Sequence, residues 1–319
     1  MLRLIGSRLL LLVPVLFLVT VGTFLLVELV PGDPAIQVLG PNSTQEDYER
    51  VREEMGLNES LPRRYVDWLS DAVLSGDLGN NLVPPIEPVS ERLARAFPIN
   101  LEIAFLALAM SFAVAIPLGV LSAFRQGSRF DRVTTTTMFG LISVPNFLAG
   151  ILLILILAIN WHVFPIGQWA RPSDEGWVAN LQHAFLPALT LALGEIAVFT
   201  RLLRSDMIAT LQEDYILSAR AKGMSTQHIL FRQALRPSSF SLITLSGVNL
   251  GRLIGGTLVV ETIFNLPGVG RLIIDSIFQE DYPMVQGAVL FVAAAYVIIN
   301  LAVDLSYAYI DPRIRRGRI

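Results

Sequence analysis

The chain contains no cysteine. Disulfides, thiolate metal centres and a cysteine nucleophile are therefore excluded. Histidine is nearly as scarce. His162, His183 and His228 lie far apart and show no ligand spacing, which argues against a histidine-built metal site. Lys222 is the single lysine, against 23 arginines. A phosphate-cradling loop needs Gly-Lys-Ser/Thr, whereas Lys222 stands between Ala221 and Gly223. Any ATP hydrolysis has to come from another chain. Charge of either sign is sparse: 16% of the 319 residues are charged, where a soluble domain usually carries about 25%. With 53% hydrophobic residues, this is the composition of a membrane protein.

A helix that crosses a bilayer needs roughly 20 mainly apolar residues. Six stretches qualify: 9–30, 101–124, 133–159, 184–203, 240–263 and 284–310. The first follows Arg3 and Arg8, as a signal core would. It exceeds the roughly 7–15 residues of such a core, and no small-x-small cleavage site follows, so it reads as a retained helix. Arginine placement gives the orientation. Basic residues precede the first stretch, lie between the second and third (Arg125, Arg129, Arg132) and between the fourth and fifth (Arg204, Arg220, Lys222, Arg232, Arg236), and close the chain (Arg313, Arg315, Arg316, Arg318). The positive-inside rule puts these segments, and both termini, in the cytoplasm. The expected fold is an all-α membrane protein of about six transmembrane helices with both termini cytoplasmic.

Segment 31–97 carries twelve acidic residues and six arginines, and is expected outside. It is too long for a plain loop. Tyr65, Trp68, Leu69, Ala72 and Val73 recur at helical spacing over 62–74, and a further helix is expected over 44–55 with Thr44 as its N-cap. Ser75 to Asn80 reads as a turn, and Pro84, Pro85 and Pro88 as an extended approach to the second span. The segment is a small external helical cap, and the chain divides into a first span (1–30), the cap (31–97) and a transmembrane core (98–319). Glu28, at the outer end of the first span, reads as solvated. A second external loop, 161–183, carries Trp161, Trp169 and Trp177, which serve either as interfacial anchors or in solute binding.

Residues 213–236 are too polar to span, yet favour helix. Acids stand first (Glu213, Asp214) and bases last (Arg220, Lys222), as the helix dipole prefers. Gly223 suits the left-handed position past a helix end. Ser225 can cap a second helix reaching Leu235, and Pro237 marks the start of the fifth span. Ala219 and Gly223, four apart, would give the first helix a face of small residues that another surface can approach closely. The element reads as a helix–turn–helix projecting from the membrane. It either docks a cytoplasmic protein or lies on lipid phosphates through its arginines.

At this point the chain resembles the inner-membrane permeases of binding-protein-dependent ABC importers, in the dipeptide, oligopeptide and nickel branch. Their cytoplasmic loop has E-A-A-x-x-x-G, nine residues, then I-x-L-P. Here Ala219, Gly223 and Leu235 match; Leu217, Ser218 and Gln233 do not, and the proline is displaced to Pro237. Ala219–Gly223 (A-R-A-K-G) and Ala234–Arg236 (A-L-R) are similar to the peptide branch. So are P-G-D-P at 31–34, S-G-D-L-G at 75–79, E-T-I-F at 261–264, P-G-V-G-R-L at 267–272, D-Y-P at 281–283 and D-P-R-I-R at 311–315.

The resemblance implies a permease subunit for short peptides or related solutes, working with a homologous second permease, two cytoplasmic ATPase subunits and an external solute-binding protein. No cofactor is expected on this chain; ATP and Mg belong to the ATPases. Asp214, Tyr215, Ala219, Arg220, Lys222, Gly223, Met224, Ser225 and Leu235 are the implied ATPase-coupling residues. Within the membrane, Arg252 is expected near the centre of the fifth span, facing a cavity or another helix, and either touching a peptide carboxylate or paired with an acid such as Glu195. Gly247, Gly251 and Gly255 form a smooth stripe, for packing on the second permease or for lining the solute path. A secondary transporter or channel is the alternative, and would not need the Gly223 hairpin. No nucleophile–base pair suggests an enzyme, and the basic residues are too dispersed for nucleic acid.

Overall fold

The computed structural model describes residues 2–29, 34–39, 43–54, 56–255 and 257–310. The motifs at 31–33 and 311–315 lie outside the described residues. Fourteen helices are described: α1 (Leu2–Leu29), α2 (Pro34–Leu39), α3 (Gln45–Glu54), α4 (Leu61–Ser70), α5 (Val89–Phe124), α6 (Arg129–Ser143), α7 (Asn146–Leu153), α8 (Pro172–Thr210), α9 (Asp214–Ala221), α10 (Thr226–His228), α11 (Leu235–Gly255), α12 (Leu258–Phe264), α13 (Val269–Phe278) and α14 (Tyr282–Ile310). Wider π-type turns extend α4 to Ser75, extend α7 to Asn160 and join α10 to α11. Among the described residues the only β feature is an isolated bridge between Asn80 and Pro88.

Two compact units result. The first comprises residues 1–99 and 268–319. Here α14 packs against α1 and α13. Its core is Val89, Leu93, Ala96, Val269, Met284 and Ala288, with Phe97 and Phe291 edge to face at 5.0 Å. The helices expected over 44–55 and 62–74 form as α3 and α4. Thr44 caps α3, its Oγ1 accepting from the Asp47 amide at 3.3 Å. On α4, Tyr65 and Trp68 close over Phe24 of α1 at 5.5 and 6.0 Å. Glu28 is not solvated: Arg64 of α4 reaches it at 2.6 Å, and both side chains are 19% exposed. The α1–α4 packing that buries Phe24 also brings this pair together, since a half-buried carboxylate needs a partner. The D-Y-P motif starts α14: the Asp281 carboxylate accepts from the Met284 amide at 3.4 Å and from the Leu82 amide at 3.1 Å, while Pro283 occupies the first turn, where an amide is dispensable.

The second unit, residues 100–267, is built around α8, which packs on α6, α7, α11 and α12. The loop expected at 161–183 is helical from Pro172 onward, interrupted only at Gly176 (φ 82°), so the 39-residue α8 outreaches the span expected at 184–203. Proline at the first helical position explains the early start. The stretch at 133–159 is not one helix. It bends by 101° between α6 and α7. Pro145 is the cause: the residue before a proline is pushed out of the α region, and Val144 is extended at φ −86°, ψ 120°. The stretch at 240–263 is likewise divided into α11 and α12, which differ in direction by 56°. Among the described residues, three helices (α5, α8 and α14) are long and apolar enough to cross a membrane, or five spans if each bent pair counts as one.

The turn before α8 is locked to α12. The Gln168 amide donates to the Phe264 carbonyl at 3.0 Å, and Gly167 lies so close that an added Cβ would stand 2.3 Å from that oxygen. Gly167→Ala is therefore expected to destabilise the protein by about 1–3 kcal/mol, the usual cost of forcing an atom into a packed site. A lower melting temperature in detergent is the check, with Gly140→Ala, a helix-interior site with open space around the Cβ where alanine is favoured, as a control that should not fall.

Candidate coupling hairpin

Residues 213–235 form two helical arms. Glu213 stands at the N-cap of α9 in an extended conformation, with Asp214 in the first turn, where the helix dipole favours an acid. The arm ends in a Schellman turn. The Gly223 amide donates to the Arg220 carbonyl at 2.9 Å and the Met224 amide to the Ala219 carbonyl at 3.2 Å. Gly223 takes φ 74°, which a side chain disfavours. Ser225 then caps the second arm, its Oγ accepting from the His228 amide at 3.4 Å.

The second arm does not stop at Leu235. It runs through α10 and the wide turns Ile229–Ala234 straight into α11. Pro237 lies inside this rod and marks no boundary. A proline withholds the amide that the carbonyl four residues earlier would receive. That carbonyl belongs to Gln233, and the Tyr215 hydroxyl of the opposite arm donates to it at 3.4 Å. Partial burial, and then the charge of Glu213, raise the Tyr215 phenol above its usual value, keeping it a neutral donor.

One face of the hairpin is rooted in the second unit. Ile216, Ala219, Ile229, Leu230 and Ala234 join Val120, Ala123, Phe199, Leu203, Met207 and Leu242 in one buried cluster. This corrects the small-residue docking face. Ala219 is buried between the arms, and Gly223 belongs to the turn, so the small residues serve the hairpin's own closure. Leu235 packs at the edge of the same cluster. Asp214, Tyr215, Arg220, Lys222, Gly223, Met224 and Ser225 are exposed, and four large apolar side chains of the hairpin stand out: Tyr215 at 44%, Leu217 at 53%, Met224 at 38% and Phe231 at 57%. A cavity of about 560 Å³ lies beside the turn, lined by Phe124, Gln126, Leu211, Arg220 and Met224 among others.

Beneath this cluster sits a group the sequence did not single out. The carboxylate of Asp131 is buried and takes two bonds from Arg204, Nε at 2.5 Å and a terminal nitrogen at 2.8 Å. It also accepts from Ser122 Oγ at 2.6 Å and the Gly127 amide at 2.8 Å. Four donors from α5, the α5–α6 turn and α8 thus meet on one side chain of α6. A lone Asp two residues from Arg129 carries no spacing signal, which is why sequence reasoning missed it.

In the membrane stretch the structure brings Arg252 to Glu195, as the sequence suggested. The guanidinium donates to one carboxylate oxygen at 2.5 Å, and Asn249 donates to the other at 2.5 Å. Arg252 does not sit mid-helix, however. It occupies the last turn of α11, because the span is broken there. Gly247 is half-buried and Gly251 buried within this chain, while Val248 and Arg252, one residue further on, are exposed; Gly255 is the last residue of α11. Beyond the break, Asn100 donates to Thr257 at 2.8 Å and to Glu261 at 2.6 Å, the latter an acid of the E-T-I-F motif. Among the described residues no cluster of metal-ligating side chains occurs.

Apolar helices, two of them broken within their spans, and a rigid polar hairpin set between α8 and α11 define the membrane subunit of a transport machine. The chain belongs to the binding-protein-dependent transport system inner membrane components: that family model matches residues 115–316, and the model of the family's N-terminal part matches residues 1–103. It is 38% identical to a probable peptide ABC transporter permease of Sinorhizobium fredii over 95% of this chain and 96% of that one. It is 37% identical to the oligopeptide transport system permease AppB of Bacillus subtilis, covering 96% and 97%. It is 36% identical to the glutathione transport system permease GsiC of Escherichia coli, covering 99% of both chains.

Asp131→Asn is expected to cost about 3 kcal/mol, because breaking a buried pair strands the partner charge. A melting temperature in detergent clearly below that of the wild type is the check.

Proposed function

We propose that this chain is one of two permease subunits of an ATP-driven importer for short peptides or chemically related solutes, and that residues 213–236 are its coupling element. Six spans follow: α1, α5, α6 with α7, α8, α11 with α12, and α14. Both termini and the hairpin face the cytoplasm, in keeping with the arginine distribution. Residues 31–97 then form the external cap that receives the solute-binding protein, and 98–319 the core, with lipid around it. This chain is non-catalytic. Two ATPase subunits hold ATP and Mg, each permease hairpin seats in one of them, and closure of the ATPases moves the hairpins and opens the path alternately to either side. Peptide as the solute class rests on what the named relatives carry.

The observation that carries the reading is the two-faced hairpin. One face is buried in the membrane unit, and the other holds Tyr215, Leu217, Met224 and Phe231 out among Arg220, Lys222 and Arg232. Exposed apolar side chains ringed by charge are the composition of a protein interface. The paired substitutions Leu217→Asp and Phe231→Asp, which leave the buried face intact, are expected to reduce recovery of ATPase subunits with the tagged permease at least about tenfold, the size of one interface anchor. Recovery of the second permease should be unchanged. Undiminished ATPase recovery, with transport intact, would overturn the assignment.

A further inference from the structure

The polar break at the end of α11 points to a function for Arg252. Building on the permease reading above, we propose that Arg252 receives a carboxylate of the solute as it crosses the membrane. Three observations meet there. The Arg252 side chain is 66% exposed, although it belongs to a membrane-embedded helix. A guanidinium on such a helix faces water or a partner, not hydrocarbon. Its counter-ion Glu195 is on the opposite footing, at 3% exposure, and Asn249 and Arg252 occupy its two oxygens. The buried acid therefore fixes the guanidinium by one terminal nitrogen and leaves its other edge pointing outward. Finally, helical structure is interrupted beside it, with Thr257 buried past the interruption and held by Asn100 and Glu261. Interrupted spans are stable where the break is buried in protein or lines a water-filled cavity, and such breaks hold solute groups in other transporters.

The face that carries Arg252 is continuous. Ser241, Thr244, Val248 and Arg252 recur at helical spacing along α11, and all are exposed. A planar fork with a free edge binds carboxylate in two-pronged fashion, which an ammonium does not match. Every unmodified peptide carries such a group at its C-terminus. Because Glu195 neutralises the arginine, the site attracts the anion by directed hydrogen bonds and not by a net field. A solute is then guided without being trapped.

The test uses the complete importer in proteoliposomes with saturating binding protein, and trialanine or its C-terminal amide as probe. Arg252→Gln is expected to lower trialanine uptake about tenfold, the worth of one charge-assisted bond, and to leave amide uptake within about twofold. Arg252→Lys should recover part of the loss. The double variant Glu195→Gln, Arg252→Gln removes the pair without stranding a buried charge, and should show the same selective loss. Equal loss of both probes would overturn the proposal. The chain's lack of cysteine supplies a second readout. A Val248→Cys thiol should react faster with an anionic methanethiosulfonate than with a cationic one, lose that preference in Arg252→Gln, and be shielded by trialanine. A thiol inert to both reagents would place this face against lipid or the second permease, and would sink the proposal. ATPase recovery in the same preparations separates these outcomes from failure of the coupling assignment.

Discussion

Hydrocarbon offers no hydrogen bonds, so every polar group this chain takes into the membrane must be met from within. The constraint explains why its irregular points are also its polar points. Asp131 gathers four donors from three directions where α5, α6 and α8 meet. Glu195 has both oxygens occupied. Glu261 is met by Asn100 and by Thr257 where α11 gives way to α12. Each carboxylate takes at least one donor from a helix distant in sequence, Arg204, Asn249 and Asn100 respectively, and these bonds tie the helices together.

Local chemistry was legible in the sequence wherever one residue type has one geometric use. Gly223 in a left-handed turn, Ser225 and Thr44 as caps, and the helical stripe of Tyr65 and Trp68 could all be read from spacing, and the structure has them. The Glu195–Arg252 pair could be anticipated because an isolated charge in an apolar run needs an opposite one. What hydropathy could not give was direction. A window average treats 133–159 as one span, yet the backbone preference of Val144 before Pro145 turns the chain by 101°. The average is equally blind to Pro172, which begins a helix inside an expected loop.

Two readings from spacing fail for one reason. Within their own segments, Ala219 and Gly223 look like an open face and Glu28 looks solvated. Their partners, Ile229 and Leu230 in one case and Arg64 in the other, lie on elements whose placement spacing alone does not reveal. Asp131 and Arg204 are 73 positions apart and were invisible for the same reason.

The uninterrupted passage from the hairpin's second arm into α11 has a mechanical meaning. Residues 226–254 form one helical rod, about 43 Å long at the standard rise per residue. A hinge between hairpin and span would let the tip swing while the span stayed still. A stiff rod allows no such slack: a tilt of about 10° about one end carries the other through about 7 Å, by the same helical dimensions. The hairpin tip and Arg252 ride on opposite ends of that single lever, so a tilt imposed at one end appears as a swing of the other.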